Sequence, residues 1–242
     1  MTPSTPTYRN SGERYERRLL AFIDILGWSR LVERSKGDLS IMGLLATATE
    51  FLQLTPKAIQ GRIPGVALDA ATFERLGIRA AYFSDTLVIS APEDVKAAPG
   101  LVGFVQTTCL HLLGMGFYTR GAIVLGDLWH RADVIYGPAM LDAYELEQTV
   151  AVYPRILIAP DALRVVRTIP IGALVRDDFD GLSHLDIFQC PDTSPIEVAG
   201  WVSDVRKIID QKMKDDAGDL KLEAKHRWFL RYLESLASLP GV

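Results

Sequence analysis

After a polar beginning, the chain shows one short apolar run followed by longer stretches that are rich in helix formers. Leu19–Leu26 is apolar along almost its whole length and ends at Gly27, which predicts a buried strand. Asp24 interrupts this run, although burying an unpaired carboxylate is costly. The stretch 31–57, with one internal break, predicts two helices, and 61–77 predicts an irregular loop.

Two further strand-like runs, 78–83 and 86–90, are separated only by Ser84 and Asp85. This spacing predicts a tight hairpin. The segments that follow predict a mostly apolar helix and then a strand, over 101–115 and 117–125. The resulting order, βααββαβ, predicts an α+β fold of the ferredoxin-like type. In this type the first and third strands are antiparallel neighbours at the centre of one sheet.

That strand order brings two aspartates together. Asp24 lies near the end of the first strand and Asp85 at the start of the third, so both reach the same sheet edge. Two carboxylates without a histidine suit magnesium or manganese, and the main-chain carbonyl of Ile25 could add a ligand. Two such ions can neutralise a triphosphate and stabilise a pyrophosphate leaving group. The alternative is that Asp24 caps a helix and Asp85 only makes a turn; their pairing favours the metal site.

The second half of the chain predicts a helix, three short strands and two amphipathic helices, over 138–150, 155–158, 171–175, 184–188, 202–213 and 222–236. We therefore expect a flexible polar tail and one domain. The predicted parts are a tail over 1–16 and a domain over 17–242, with a core at about 19–158 and a C-terminal cover at about 159–242.

Composition restricts the partners. The 242 residues are 48% hydrophobic with a net charge of −4, which supplies a core but no basic surface for nucleic acid. The polar beginning lacks the apolar segment of a signal peptide, and no run reaches about 18 apolar residues. We therefore expect a cytoplasmic protein that binds no membrane. Cys109 and Cys190 are expected to be ordinary thiols rather than a disulfide or a metal site.

Four segments resemble, in order, the successive motifs of class III nucleotidyl cyclases: Phe22–Trp28, Phe83–Asp85, Arg120–Gly126 and Tyr136–Ala139. More narrowly, five peptides resemble the pyrimidine cyclases of the Pycsar anti-phage system, namely Phe-Ser-Asp-Thr-Leu-Val-Ile-Ser, Arg-Gly-Ala-Ile, Gly-Pro-Ala, Ala-Tyr-Glu-Leu-Glu and Tyr-Pro-Arg-Ile. The similarity spans about 20–158.

This resemblance implies an enzyme that converts UTP to 3′,5′-cyclic UMP and pyrophosphate with two Mn²⁺ or Mg²⁺ ions. It also implies a homodimer with active sites shared between subunits, and an antiviral second messenger that acts on a separate effector protein. Asp24 and Asp85, with the carbonyl of Ile25, correspond to the metal ligands. The residues expected to contact the nucleotide are Phe22, Ile25, Gly27, Tyr82 and Ser84.

The chain differs from the family at the positions whose side chains stabilise the transition state. The usual Asn and Arg of purine cyclases align with Leu141 and Glu145, and neither side chain can donate to a phosphate. Another cation must then act, because guanidinium groups match phosphate oxygens. Arg120 and Arg155 rank above Arg131 as candidates, and the alternative for each is a salt bridge or a helix-capping contact.

The positions that recognise the base in the family also carry different residues in this chain. The Lys and the acid that read adenine would fall at Ala81 and Val134, and three aromatic residues lie near in sequence: Tyr82, Trp129 and Tyr136. A pyrimidine substrate is therefore favoured. UTP is preferred over CTP only through overall likeness. A CTP-specific enzyme, a purine cyclase, or a catalytically silent nucleotide-binding module remain as alternatives, although retention of both aspartates argues against the last.

Overall fold

The computed structural model describes residues 14–58, 61–63, 66–169, 174–189 and 195–237. Its helices and strands follow one another as β1 (Glu16–Ile25), α1 (Trp28–Ser35), α2 (Leu39–Ala58), β2 (Gly61–Ile63), β3 (Val66–Leu68), α3 (Ala70–Arg75), β4 (Arg79–Phe83), β5 (Thr86–Pro92), α4 (Ala98–Gly114), β6 (Thr119–Arg131), β7 (Val134–Tyr136), α5 (Pro138–Thr149), β8 (Ile156–Ile158), α6 (Pro160–Val166), β9 (Val175–Asp177), β10 (Ser183–Leu185), α7 (Pro195–Asp215) and α8 (Leu220–Ala237).

The predicted α+β class is confirmed, and the βααββαβ order is found with β2, β3 and α3 inserted between α2 and β4. Within the described residues, one mixed sheet of eight strands runs β4-β5-β1-β6-β8-β10-β9, with β7 paired to β6. The central strand β1 is antiparallel to β5 on one side and to β6 on the other. The first and third strands of the predicted core are thus neighbours.

The prediction of an irregular loop over 61–77 was wrong. A two-stranded hairpin, β2–β3, and the short helix α3 lie there. The side chain of Asp69 caps α3 by accepting a hydrogen bond from the amide of Thr72 at 2.7 Å. Phe73 is buried in the main core and holds the helix against the domain. A short helix with one buried anchor leaves too weak a periodicity to be recognised from sequence.

The two faces of the sheet are covered unequally. Helices α2, α4, α6, α7 and α8 bury a large core on one face. Helix α5 covers part of the other face with a small cluster that includes Phe22, Ala139 and Ala143. Because side chains alternate along a strand, Ile23 enters the large core and Asp24 faces the side of α5.

Some sequence predictions concern segments that lie wholly or partly outside the described residues. Strand β1 already begins at Glu16, and residues 1–13 of the predicted tail lie outside the described part. The strand predicted over 171–175 lies partly outside it, and the observed β9 is Val175–Asp177. Cys190 lies outside it, whereas Cys109 is a buried free thiol whose pKa is raised to about 12 by burial. None of the helices in the described ranges has the length and apolar character needed to span a membrane.

Candidate active site

The hairpin between β4 and β5 brings Asp85 to the end of β1. Phe83 pairs with Thr86, so that Ser84 and Asp85 alone form the turn, as predicted. Ser84 has a left-handed backbone with φ of 57°, which a two-residue hairpin requires. The amide of Ile25 donates a hydrogen bond to the carbonyl of Asp85 at 3.2 Å. Asp85 therefore lies beside the residue that follows Asp24.

Arg120 approaches Asp24 from the other neighbouring strand. The two residues are register partners between β1 and β6. Arg120 Nε donates a hydrogen bond to Asp24 Oδ2 at 3.4 Å, and the same nitrogen forms an ion pair with Glu147. The next residue, Gly121, has no room for a side chain, because a Cβ there would lie 2.0 Å from the carbonyl oxygen of Phe22. This close approach explains why glycine follows the arginine.

Glu147 is a member of this site that the sequence reasoning did not single out. It is completely buried on α5, where Ala139 and Ala143 contact the sheet at the two preceding positions spaced by four residues. Residues spaced by four share one face of a helix. A glutamate on the sheet-facing side of α5 was therefore a readable signal for a buried carboxylate.

The carboxylates of Asp24, Asp85 and Glu147 concentrate negative charge in a partly buried region. Burial, together with the charges of Glu147 and Asp85, raises the pKa of Asp24 to about 6, and Arg120 only partly opposes this. The pKa of Glu147 is also raised, mainly by burial, and the charge of Asp85 adds to the effect. Arg120 pairs with Asp24 and Glu147, while Asp85 adds a third negative charge nearby, so a further cation would be stabilised here.

The donor set fits a hard divalent ion that is completed by its substrate. Among the described residues, no three His, Cys, Asp or Glu side chains converge closely enough to hold a metal by themselves. Mg²⁺ is commonly bound by one or two carboxylates, with phosphate oxygens and water as the other ligands. Asp24 and Asp85 are suited to be these carboxylates. The role of the Ile25 carbonyl as a ligand stays a prediction.

The raised pKa of Asp24 leads to a prediction for the metal-free protein. Its carboxyl has a pKa of about 6 in the fold against an ordinary value of 3.8, so the folded state binds more protons between these values. The free energy of unfolding should therefore fall as pH rises from about 4 to 6, by at most about 3 kcal/mol from this group. In EDTA, urea denaturation from pH 4 to 8 should show Asp24→Asn gaining stability relative to wild type as pH rises.

The control for this measurement is Asp133→Asn, which changes an exposed carboxylate in the turn between β6 and β7. Its stability relative to wild type should stay constant over the same pH range. Parallel pH curves for wild type and Asp24→Asn would contradict the buried charge on Asp24.

Arg155 is not brought to the aspartates. Its side chain is 1% exposed and forms ion pairs with Asp178 and Asp180. The guanidinium also lies over the rings of Tyr153 and Trp228, at 5.4 and 5.9 Å from their centres. These contacts tie the core to the C-terminal cover, which is the salt-bridge alternative recognised in the sequence. The catalytic role of Arg155 stays a prediction, but Arg120 is the arginine that contacts Asp24.

The residues expected to contact a nucleotide lie in different surroundings. Phe22 is buried beneath α5, where its ring meets that of Tyr144 edge-on at 6.1 Å. Gly27 and Ser84 are exposed at the site edge, and Gly27 has a left-handed backbone with φ of 82°. Tyr82 packs against the large core, on the sheet face opposite Asp24.

The aromatic residues proposed as a base wall do not surround the aspartates within one chain. Trp129 and Tyr136 stack on each other at 5.9 Å, near the far end of β6. Nine strand positions separate Trp129 from Arg120, or roughly 30 Å. Arg131 also lies at this end, with its guanidinium over Trp129. Any contribution from these groups to the site would have to come from a second subunit.

Comparisons with known proteins give structural likeness only. No family model and no curated protein sequence matches the chain. The monomeric guanylyl cyclase domain of the RhoGC fusion protein from the aquatic fungus Blastocladiella emersonii is similar, at 14% identity and a TM-score of 0.47 over 71% of this chain and 95% of that one. The guanylate cyclase domain of RhGC from Catenaria anguillulae, in complex with GTP, gives 13% identity and a TM-score of 0.44 over 71% and 95%.

A class III adenylyl cyclase-like ATP-binding protein from Pseudomonas aeruginosa is similar at 10% identity and a TM-score of 0.39, over 90% of this chain and 44% of that one. These neighbours are nucleotidyl cyclase domains or a protein similar to them. With TM-scores below 0.5, the likeness assigns no activity to this chain.

Proposed function

We propose that this chain is a metal-dependent pyrimidine nucleotide cyclase that converts UTP to 3′,5′-cyclic UMP and pyrophosphate. The observation that carries the proposal is the meeting of Asp24 and Asp85 at the ends of neighbouring strands, with Arg120 in contact with Asp24. Partly buried carboxylates at a sheet edge carry a desolvation cost, and a metal-bound triphosphate would use the negative charge that they create.

The reaction forms one P–O bond and breaks another. The ribose 3′ oxygen attacks the α-phosphorus, the bond from that phosphorus to the bridging oxygen breaks, and pyrophosphate leaves with the electron pair. Divalent ions held by Asp24 and Asp85 would neutralise the phosphates and lower the pKa of the 3′ hydroxyl, whose O–H bond also breaks and whose proton passes to solvent water. The protein's own task is to position these charges before the substrate arrives.

Arg120 is the proposed transition-state cation. Leu141 and Glu145, which replace the usual donors, are exposed on α5 and have no group that can donate to phosphate. Arg120 Nε already pairs with two carboxylates, Asp24 and Glu147, and the buried Glu147 would hold the guanidinium in orientation when metal binds Asp24. Guanidinium presents several N–H donors to phosphate oxygens, which suits this role.

A homodimer with shared active sites is part of the proposal. Apolar side chains are exposed on α5, which covers the sheet face of Asp24, and next to the turn that holds Asp85: Leu141 is 70% exposed, Tyr144 52% and Phe83 49%. Phe83 is on the same sheet face as Asp24, since both pair with Thr86. Exposed apolar groups on one face favour a self-complementary contact between two copies.

The choice of base gives the test of function. Ala81 is buried in β4 and Val134 is exposed on β7, so neither can make the polar contacts that read a purine edge. A site without these partners should reject ATP and GTP by about two orders of magnitude relative to pyrimidine triphosphates. Purified protein with Mn²⁺ and equal amounts of UTP, CTP, ATP and GTP, with products separated by mass, should give mainly cyclic UMP, followed by cyclic CMP.

Each other outcome of this assay selects an alternative. A dominant cyclic AMP or cyclic GMP product would overturn the argument from Ala81 and Val134 while keeping a cyclase. Nucleotide binding without any cyclic product would support the silent module that Leu141 and Glu145 suggest. In the proposed setting, the cyclic pyrimidine nucleotide is an antiviral second messenger in the cytoplasm that a separate effector protein senses.

A further inference from the structure

A basic pocket lies beside the candidate active site. It has a volume of about 140 Å³, is open to solvent, and lies between the start of α1 and the helix pair α7–α8. Leu26 and Gly27, which directly follow β1, form part of its wall. The pocket therefore begins within three residues of Asp24, at the same end of the sheet.

The charges in this pocket are unlike those of the whole chain. Four cationic side chains line it, and they are Arg30, Arg34, Lys212 and Lys225. Asp216 is the carboxylate among the lining residues, and burial lowers the pKa of His226, which keeps that ring neutral near pH 7. The lining carries a net charge of +3 in a protein of net charge −4. Such a local excess favours an anion.

The cations differ in how far they are already paired. Arg30 forms long ion pairs with Asp216 at 3.5 Å and Asp219 at 3.9 Å. Lys212 lies 5.2 Å from the ring centre of Tyr118. Lys225 is half-buried, yet it has neither a hydrogen bond nor an ion pair to any residue in the described part of the chain. A half-buried lysine without a partner is a costly arrangement that a bound anion would relieve.

Lys225 also connects the pocket to the aspartates. The charges of Arg120 and Asp24 both act on its ammonium group, and its pKa is lowered chiefly by burial and next by Arg120. Helix α8 thus extends a cation from the C-terminal cover towards the site. The predicted core, about 19–158, does not include this helix.

We propose that Lys225, assisted by Lys212, binds the polyphosphate end of the substrate in this pocket. The inference rests on the proposed function and deepens it, since it names the C-terminal helix pair as part of the site. The phosphates would extend from the Asp24–Asp85 edge past Gly27 into the pocket. Lys225 would then neutralise charge that the departing pyrophosphate gains, a task for which Leu141 and Glu145 have no suitable group.

The test measures binding of inorganic tripolyphosphate by isothermal titration calorimetry in EDTA, on the full chain. Lys225→Gln should weaken binding by about tenfold, since it removes a charge-assisted contact. Lys225→Arg should retain most of the affinity. The matched control is Lys221→Gln, which removes the same charge from an exposed position one turn earlier on α8, and it should stay within about twofold of wild type.

The result that would overturn the inference is equal tripolyphosphate affinity for Lys225→Gln and wild type, or no binding by wild type. Thermal denaturation of each variant shows whether it is folded. Because the probe needs neither metal nor turnover, anion binding that depends on Lys225 would stand even if no cyclic nucleotide forms. Conversely, cyclic product that requires Asp24, together with unchanged anion binding in Lys225→Gln, would refute only the role of Lys225.

Discussion

Asp24→Asn and Asp85→Asn should each lower the rate of cyclic nucleotide formation by at least about a thousandfold. Each change removes the charge of a metal ligand but keeps the shape of the side chain. Metal ions contribute several kcal/mol of transition-state stabilisation, and about 4 kcal/mol corresponds to a thousandfold change in rate. Product formed from UTP with saturating Mn²⁺, quantified by mass spectrometry, measures the loss.

The control is again Asp133→Asn, which leaves the carboxylates around Arg120 unchanged and should retain wild-type turnover. Both site variants should remain folded, because each removes charge from a place where the carboxylates repel one another. Turnover close to wild type in either purified variant would refute the proposal that the two aspartates hold metal.

Arg155→Met should reduce the free energy of unfolding by about 3–5 kcal/mol. The change leaves Asp178 and Asp180 without their shared cation beside a nearly inaccessible position. Breaking a buried ion pair by removing one partner is strongly destabilising, because the remaining charge keeps its desolvation cost. Urea denaturation monitored by circular dichroism, compared with wild type, measures this loss of stability.

Arg164→Met is the matched control, since Arg164 forms an exposed pair with Asp161 on α6. An exposed pair contributes about 1 kcal/mol or less, so this variant should be nearly as stable as wild type. If Arg155→Met instead kept wild-type stability and lost cyclase activity, the transition-state role considered for Arg155 would be supported over the structural one.

The sequence by itself determined the α+β class, the strand order and the meeting of Asp24 with Asp85. Apolar runs of strand length and a two-residue hairpin are local features, and they carry enough information to order the strands. In an antiparallel pair the end of one strand lies beside the start of the other. The strand order alone therefore placed both aspartates at one edge of the sheet. Such inferences need the pattern of the chain and no knowledge of side-chain contacts.

The tertiary structure decided which cations serve the candidate site. Arg120 and Arg155 ranked equally in the sequence, yet one contacts Asp24 and the other is enclosed by Asp178 and Asp180. The partners of a long side chain depend on elements far away in the chain, which periodicity cannot reveal. Lys225 could not be recognised from the sequence for the same reason, because the pattern of its helix predicts only an amphipathic cover. Only the tertiary placement of α8, across one pocket from the residues that follow β1, brings its charge within reach of Asp24.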